Sequence, residues 1–185
     1  MGHIITDLKE TFRRGNIFIQ LIYINVSIFI IGTLINVFLQ LFQHSIPDIF
    51  GIFALPASFI RFFHQPWSII TYMFMHAGLL HILFNMLWLY WFGSIFQNTF
   101  SSQKLTGVYL LGGITGAIIY MAAYALFPAF EIERYQSWAI GASASVMAIV
   151  FAVCTYHPNY KIYVFLIGSV KLIHLALFTA VIDLL

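Results

Sequence analysis

Among the polar side chains within the long apolar runs of the sequence, three stand out: His81, Asn85 and Ser143. Polar groups at membrane depth are costly and are functional suspects by default. His81 and Asn85 are four residues apart, so they project from one face of a helix. Ser143 lies in Gly141-Ala142-Ser143-Ala144, where small neighbours leave space around one hydroxyl at a helix start. The backbone N–H groups of a helix start are unpaired and can stabilise an oxyanion. His81 and Asn85 add two side-chain donors aimed at the same region. That is the equipment of acyl transfer, without a general base. Each residue taken singly has a plainer reading, as interhelical hydrogen-bond glue or as a small packing residue.

Three rival chemistries fail on spacing. A zinc protease needs a motif such as His-Glu-x-x-His, whereas His76 and His81 are five apart with no carboxylate near. The nucleophile elbow Gly-x-Ser-x-Gly is not met, because Ser145 fills its last position. A haem-binding bundle needs two histidines at one depth, and His81 and His174 fall near opposite faces. No cofactor and no metal are expected.

The elements that must position these residues follow from charge. Of 185 residues, 62% are hydrophobic and 8% charged, against about 25% charged in a soluble domain. Charge-free gaps of 33, 42, 26 and 26 residues follow Arg14, Arg61, Lys104 and Arg134. A bilayer core takes roughly 20 helical residues to cross. A soluble enzyme, a nucleic-acid binder and a disordered scaffold are excluded; nucleic acid is not an expected partner, and the lipid bilayer is. The expected fold is an all-α, polytopic transmembrane helix bundle.

Residues 1–16 form a polar start, and 17–185 one membrane domain. Spans are expected from Ile17 to about Phe42, Leu79 to Phe96, Lys104 to Phe127, Gly141 to Tyr156, and from Leu172 onward. The first apolar stretch is too long for a signal-peptide core, so it is expected to be retained. The connection 43–78 carries Pro47, Pro56, Pro66, Trp67 and several Phe residues, and is expected half-sunk in the membrane interface. Gly112 and Gly116 have the spacing that lets helix backbones approach. Ala144, Ala148 and Ala152 make the fourth span a central one. Cys154 is expected to be a small core residue.

Basic residues set the orientation. With a cytoplasmic N-terminus, Lys9, Arg13, Arg14, Lys104, Lys161 and Lys171 fall inside, and only Arg61 and Arg134 outside. His81, Asn85 and Ser143 then share a depth of roughly 5–10 Å below the outer surface. The setting is read as an integral, multi-pass protein of a bacterial cell membrane.

His76-Ala-Gly-Leu-Leu-His81-Ile-Leu-Phe-Asn85, followed by Gly141-Ala-Ser143-Ala, resembles the rhomboid family of intramembrane serine proteases. The similarity runs from about Ala54 to the C-terminus. It implies a serine–histidine dyad that cleaves transmembrane protein substrates near their outer ends. Ser143 would be the nucleophile, and His81 and Asn85 would stabilise the oxyanion. Departures are Ala144 for the usual Gly, Trp67-Ser68 for a Trp-Arg pair, Gln97 for an acidic residue, and Met147 for a tyrosine.

The family's catalytic histidine lies on a sixth core helix, and Asp183 resembles an acidic residue near the outer end of the fifth. The chain is therefore expected to be cut short before that helix, with five spans of six, and to be inactive as it stands. His76 is expected on a different face from His81. His157 and His174 are expected at the cytoplasmic side, and His3, His44 and His64 in surface or loop positions. The alternative is a non-catalytic rhomboid-like protein that binds transmembrane segments.

Overall fold

A computed structural model describes residues 12, 15–42, 49–164, 168–174 and 176–177. Among the described residues, three helices are long and apolar enough to cross a membrane: α1 (Ile17–Leu41), α5 (Leu79–Gln97) and α6 (Ser102–Leu126). A fourth, α7 (Ser143–Tyr156), is apolar but only 14 residues long. The chain is a multi-pass helical membrane bundle. Its helix boundaries fall within about two residues of the hydrophobic pattern.

Local chemistry sets those ends. The Asn16 carbonyl accepts the first N–H bonds of α1, from Ile19 and Gln20. The α6 helix stops at Leu126, with Phe127 extended before Pro128, and α7 stops at Tyr156, before His157-Pro158. Proline disfavours helical backbone in the residue before it.

The α7 helix sits centrally, packed most extensively on α6 and next on α5. Ile149, Val150, Val153 and Cys154 of α7 are buried with Leu89 and Phe92 of α5 and Leu105 and Tyr109 of α6. Small residues permit the close approach. A Cβ on Gly112 would collide with the Ala148 methyl, and one on Gly116 would stand 2.5 Å from the Ala144 methyl. The two small-residue rows thus face each other in antiparallel register. The α1 helix packs through its first half only, burying Phe18, Leu21 and Asn25. Beyond Ile30 it presents Ile31, Leu34, Phe38 and Leu41 outward.

The connection between α1 and α5 is described from residue 49 onward. It holds α2 (Ile49–Phe53), β1 (Leu55–Pro56), α3 (Phe59–His64), α4 (Ser68–Thr71) and a 3-10 turn, Tyr72–Phe74. Side chains tie its turns together: Trp67 Nε1 donates to the Ile52 carbonyl, Gln65 Nε2 to Ala54 and Thr71 Oγ1 to Phe53. Phe59, Ile60, Phe63 and Trp67 remain exposed, an apolar surface suited to the membrane interface.

Two small antiparallel ladders supplement the helices. The first joins β1 to β2 (Trp138–Ala139), pairing Leu55 with Ala139 and Pro56 with Trp138. The second is a hairpin of β3 (Lys161–Val164) and β4 (Gly168–Lys171). It lies between the fourth and fifth expected spans. Residues 172–174 and 176–177 are helical, as expected for the start of a fifth span. The rest of that span with Asp183, together with His3, His44 and the basic residues Lys9, Arg13 and Arg14, lies outside the described residues.

Candidate functional site

Two helix starts meet at one end of the bundle. The α5 and α7 helices run in the same direction, and their far ends are flush. There Thr99 Oγ1 and His157 Nε2 are 3.0 Å apart, and the rings of Phe100 and Tyr156 are 4.8 Å apart. The α7 helix is five residues shorter than α5, so its first residue is recessed by about 7 Å. That first residue is Ser143.

Gly141 makes the turn that brings the chain into α7. Its φ of +126° is a conformation side chains rarely adopt, and its N–H donates to the Tyr72 carbonyl at 2.9 Å. A Cβ there would stand 2.8 Å from His81 Nε2. The His81 imidazole therefore lies directly against the backbone two residues before Ser143. Ala142 supplies no side-chain cap, and its carbonyl accepts the Val146 N–H. The N–H groups of the first turn are left without an intrahelical acceptor.

Asn85 is buried, and its Nδ2 donates to the His81 carbonyl at 3.0 Å. An amide nitrogen has two hydrogens. One therefore fixes the side chain on its own helix while the other stays available. Ser143 is half-buried. Ser145 is fully buried, with its Oγ against Gly113 and no hydrogen-bond partner among the described residues. The two serines thus occupy different environments, as their helix faces imply.

His76 lies closer to His81 than sequence suggests. It precedes α5, and its ring meets the His81 ring edge-on with centroids 5.0 Å apart. Neither His76 nitrogen closes a well-formed hydrogen bond among the described residues. Burial pushes its imidazole pKa down to about 4; the like charge of His81 adds to this, and the Phe74 backbone opposes it. The neutral form dominates at physiological pH. His64 is exposed on α3, and His174 is exposed beyond the hairpin. His157 caps the end of α7 away from Ser143, about 20 Å along the helix.

Sequence reasoning missed the groups behind the site. Tyr72 is buried and donates its hydroxyl to the Gly113 carbonyl at 2.6 Å. Burial raises its pKa to about 12, so it remains a donor. Asn25 in α1 donates to the Tyr109 hydroxyl at 3.3 Å, and that hydroxyl donates to the Met73 carbonyl at 3.3 Å. Asn25 was visible as an amide in an apolar span; its partners were not. Near the bundle end, Arg61 lies 4.2 Å over the Trp138 ring and donates to the Tyr135 carbonyl at 2.6 Å. Among the described residues, no group of three or more His, Cys, Asp or Glu is placed to hold a metal ion.

Comparison with known proteins gives a consistent result. A family model described as "Rhomboid domain" matches residues 64–185. The chain is 40% identical to Rhomboid protease GlpG of Haemophilus influenzae over 67 residues, covering 36% of this chain and 33% of that protein. It is 31% identical to RHOMBOID-like protein 12, mitochondrial, of Arabidopsis thaliana over 104 residues, covering 52% of this chain and 31% of the relative. Rhomboid-related protein 1 of Caenorhabditis elegans is 32% identical over 110 residues, covering 60% and 26%. The matched region spans about a third or less of each of these relatives.

Proposed function

Because the chain belongs to the rhomboid family, whose members are generally intramembrane serine proteases, we propose that it forms the nucleophile and oxyanion half of an intramembrane serine endopeptidase. Ser143 Oγ attacks the scissile carbonyl carbon of a transmembrane protein substrate, and a base takes its proton. The tetrahedral oxyanion is met by the Ser143 backbone N–H, the His81 imidazole and the second Asn85 N–H. The leaving amine takes the proton from the base, and water then releases the acyl group from Ser143.

One observation carries this reading: the His81 ring closes on Gly141 at the recessed, uncapped start of α7. Serine needs such a base, whose absence costs about 10²–10⁴-fold. In this reading the base is a histidine on a further helix outside residues 1–185. His157 and His174 lie too far away. No metal or cofactor takes part.

The domain organisation follows, with a polar segment 1–16 and a membrane domain 17–185. The N-terminus faces the cytoplasm of a bacterial cell, and Ser143 opens toward the outer face. Support comes from the placement of charge. Lys104, at the start of α6, and Lys161, just beyond α7, lie at the end opposite Ser143, whereas Arg61 and Arg134 lie at the Ser143 end.

The test is cleavage of a transmembrane substrate in liposomes. Residues 1–185 alone should not cleave, and a longer chain with a histidine-bearing helix should. Ser143→Ala should abolish that cleavage. A longer chain that binds transmembrane segments without cutting them would favour the non-catalytic alternative.

A further inference from the structure

The residue ahead of Met73 fastens two elements at once. The Tyr72 hydroxyl is bonded to the Gly113 carbonyl of α6, and its own carbonyl holds the Gly141 N–H. Met73 is clamped from the other side by Tyr109, which Asn25 of α1 holds in turn. Asn25 also donates to the Leu21 carbonyl at 2.8 Å, which fixes its amide. Tyr72, Met73, Tyr109 and Asn25 are all buried.

Packing alone does not require these hydroxyls, because phenylalanine would fill the same ring volumes. A buried phenol oxygen instead needs partners, and here both partners belong to the frame around one turn. That turn has no side chain of its own at Gly141 by which to anchor itself.

Resting on the reading of Ser143 as nucleophile, we propose that Tyr72, backed by Tyr109 and Asn25, is a positioning residue that sets the height of the Gly141–Ser143 segment against His81 and Asn85. A shift of Tyr72 moves the acceptor of the Gly141 N–H, and with it the first turn of α7. A displacement of about 1 Å at a reacting group can cost 10²-fold in rate. The line Asn25–Tyr109–Met73 and Tyr72–Gly141 links the interior of α1 to the start of α7.

The experiment reads the site without relying on proteolysis. In the full-length protein, Ser143→Cys is combined with Cys154→Ser, and alkylation by iodoacetamide is followed against pH. A thiol at a helix N-terminus ionises below its ordinary pKa of about 8.5. Adding Tyr72→Phe should raise that pKa and slow alkylation at pH 7 by about three- to tenfold, with the melting temperature nearly unchanged. Tyr109→Phe should act in the same direction. Alkylation within twofold of the parent in both variants overturns the proposal. Failure of both to fold does so too, since the hydroxyls would then serve the fold rather than the position. If a serine-directed probe never labels the unsubstituted protein, the proteolytic reading fails while the thiol measurement still stands.

Discussion

Gly141 carries two constraints, a left-handed φ and the His81 ring where a side chain would go. Gly141→Ala should therefore cost about 1–3 kcal/mol and displace His81, and chemical unfolding in detergent measures it. His76 carries a pH dependence. Unfolded, its imidazole takes up a proton near pH 6.5; folded, it does so near 4. Between those values the unfolded chain holds more protons, so stability present above pH 6.5 is lost as pH falls toward 4. The effect should be about 2 kcal/mol after allowing for water near the ring. Melting curves from pH 7.5 to 4.5 should show the loss, and His76→Leu should flatten it. At this scale Ser143, His81 and Asn85 were legible, because a polar group in an apolar run needs a reason. The His76–His81 contact was not. It depends on how the chain enters α5, and helical periodicity does not extend past Gly78.

The α6–α7 seam shows what sequence can encode about elements. Two glycines four apart and alanines at the same spacing imply close packing, and the structure sets Gly112 on Ala148 and Gly116 on Ala144. Gly116→Val should force the helices apart and destabilise the bundle by about 1–3 kcal/mol, the usual cost of overpacking. Ala152→Ser, away from those two contacts, should change little. The β1–β2 ladder was invisible to periodicity. Each strand has two residues, and their partners lie more than 80 positions apart in the chain. Arg61 reinforces that ladder from the surface. Because its hydrogen bond to Tyr135 lies at the surface, Arg61→Ala should cost under about 1 kcal/mol, yet it should speed protease nicking of the 128–137 loop. The β3–β4 hairpin escaped for a related reason: an apolar run broken by one glycine fits a strand pair and a frayed helix equally well.

Across the whole molecule, unequal helix lengths organise the site. A 14-residue helix cannot match its longer neighbours, so its start lies below the level at which α5 begins. The recess sets the Ser143 hydroxyl below the start of α5, on the side where His81 closes on Gly141. The limits of α1, α5, α6 and α7 and the central place of α7 were readable from charge gaps and small-residue spacing. The buried clamp from Asn25 through Tyr109 to Met73 was not, since it joins three elements whose mutual register no local pattern records. Ser143, and not Ser145 one position beyond Ala144, is the hydroxyl we propose to react. The most direct measurement is to treat the full-length protein in lipid with a fluorophosphonate probe and map the adduct by mass spectrometry. The adduct should lie on Ser143, disappear in Ser143→Ala and persist in Ser145→Ala. An adduct on Ser145, or labelling undiminished in Ser143→Ala, would contradict the account.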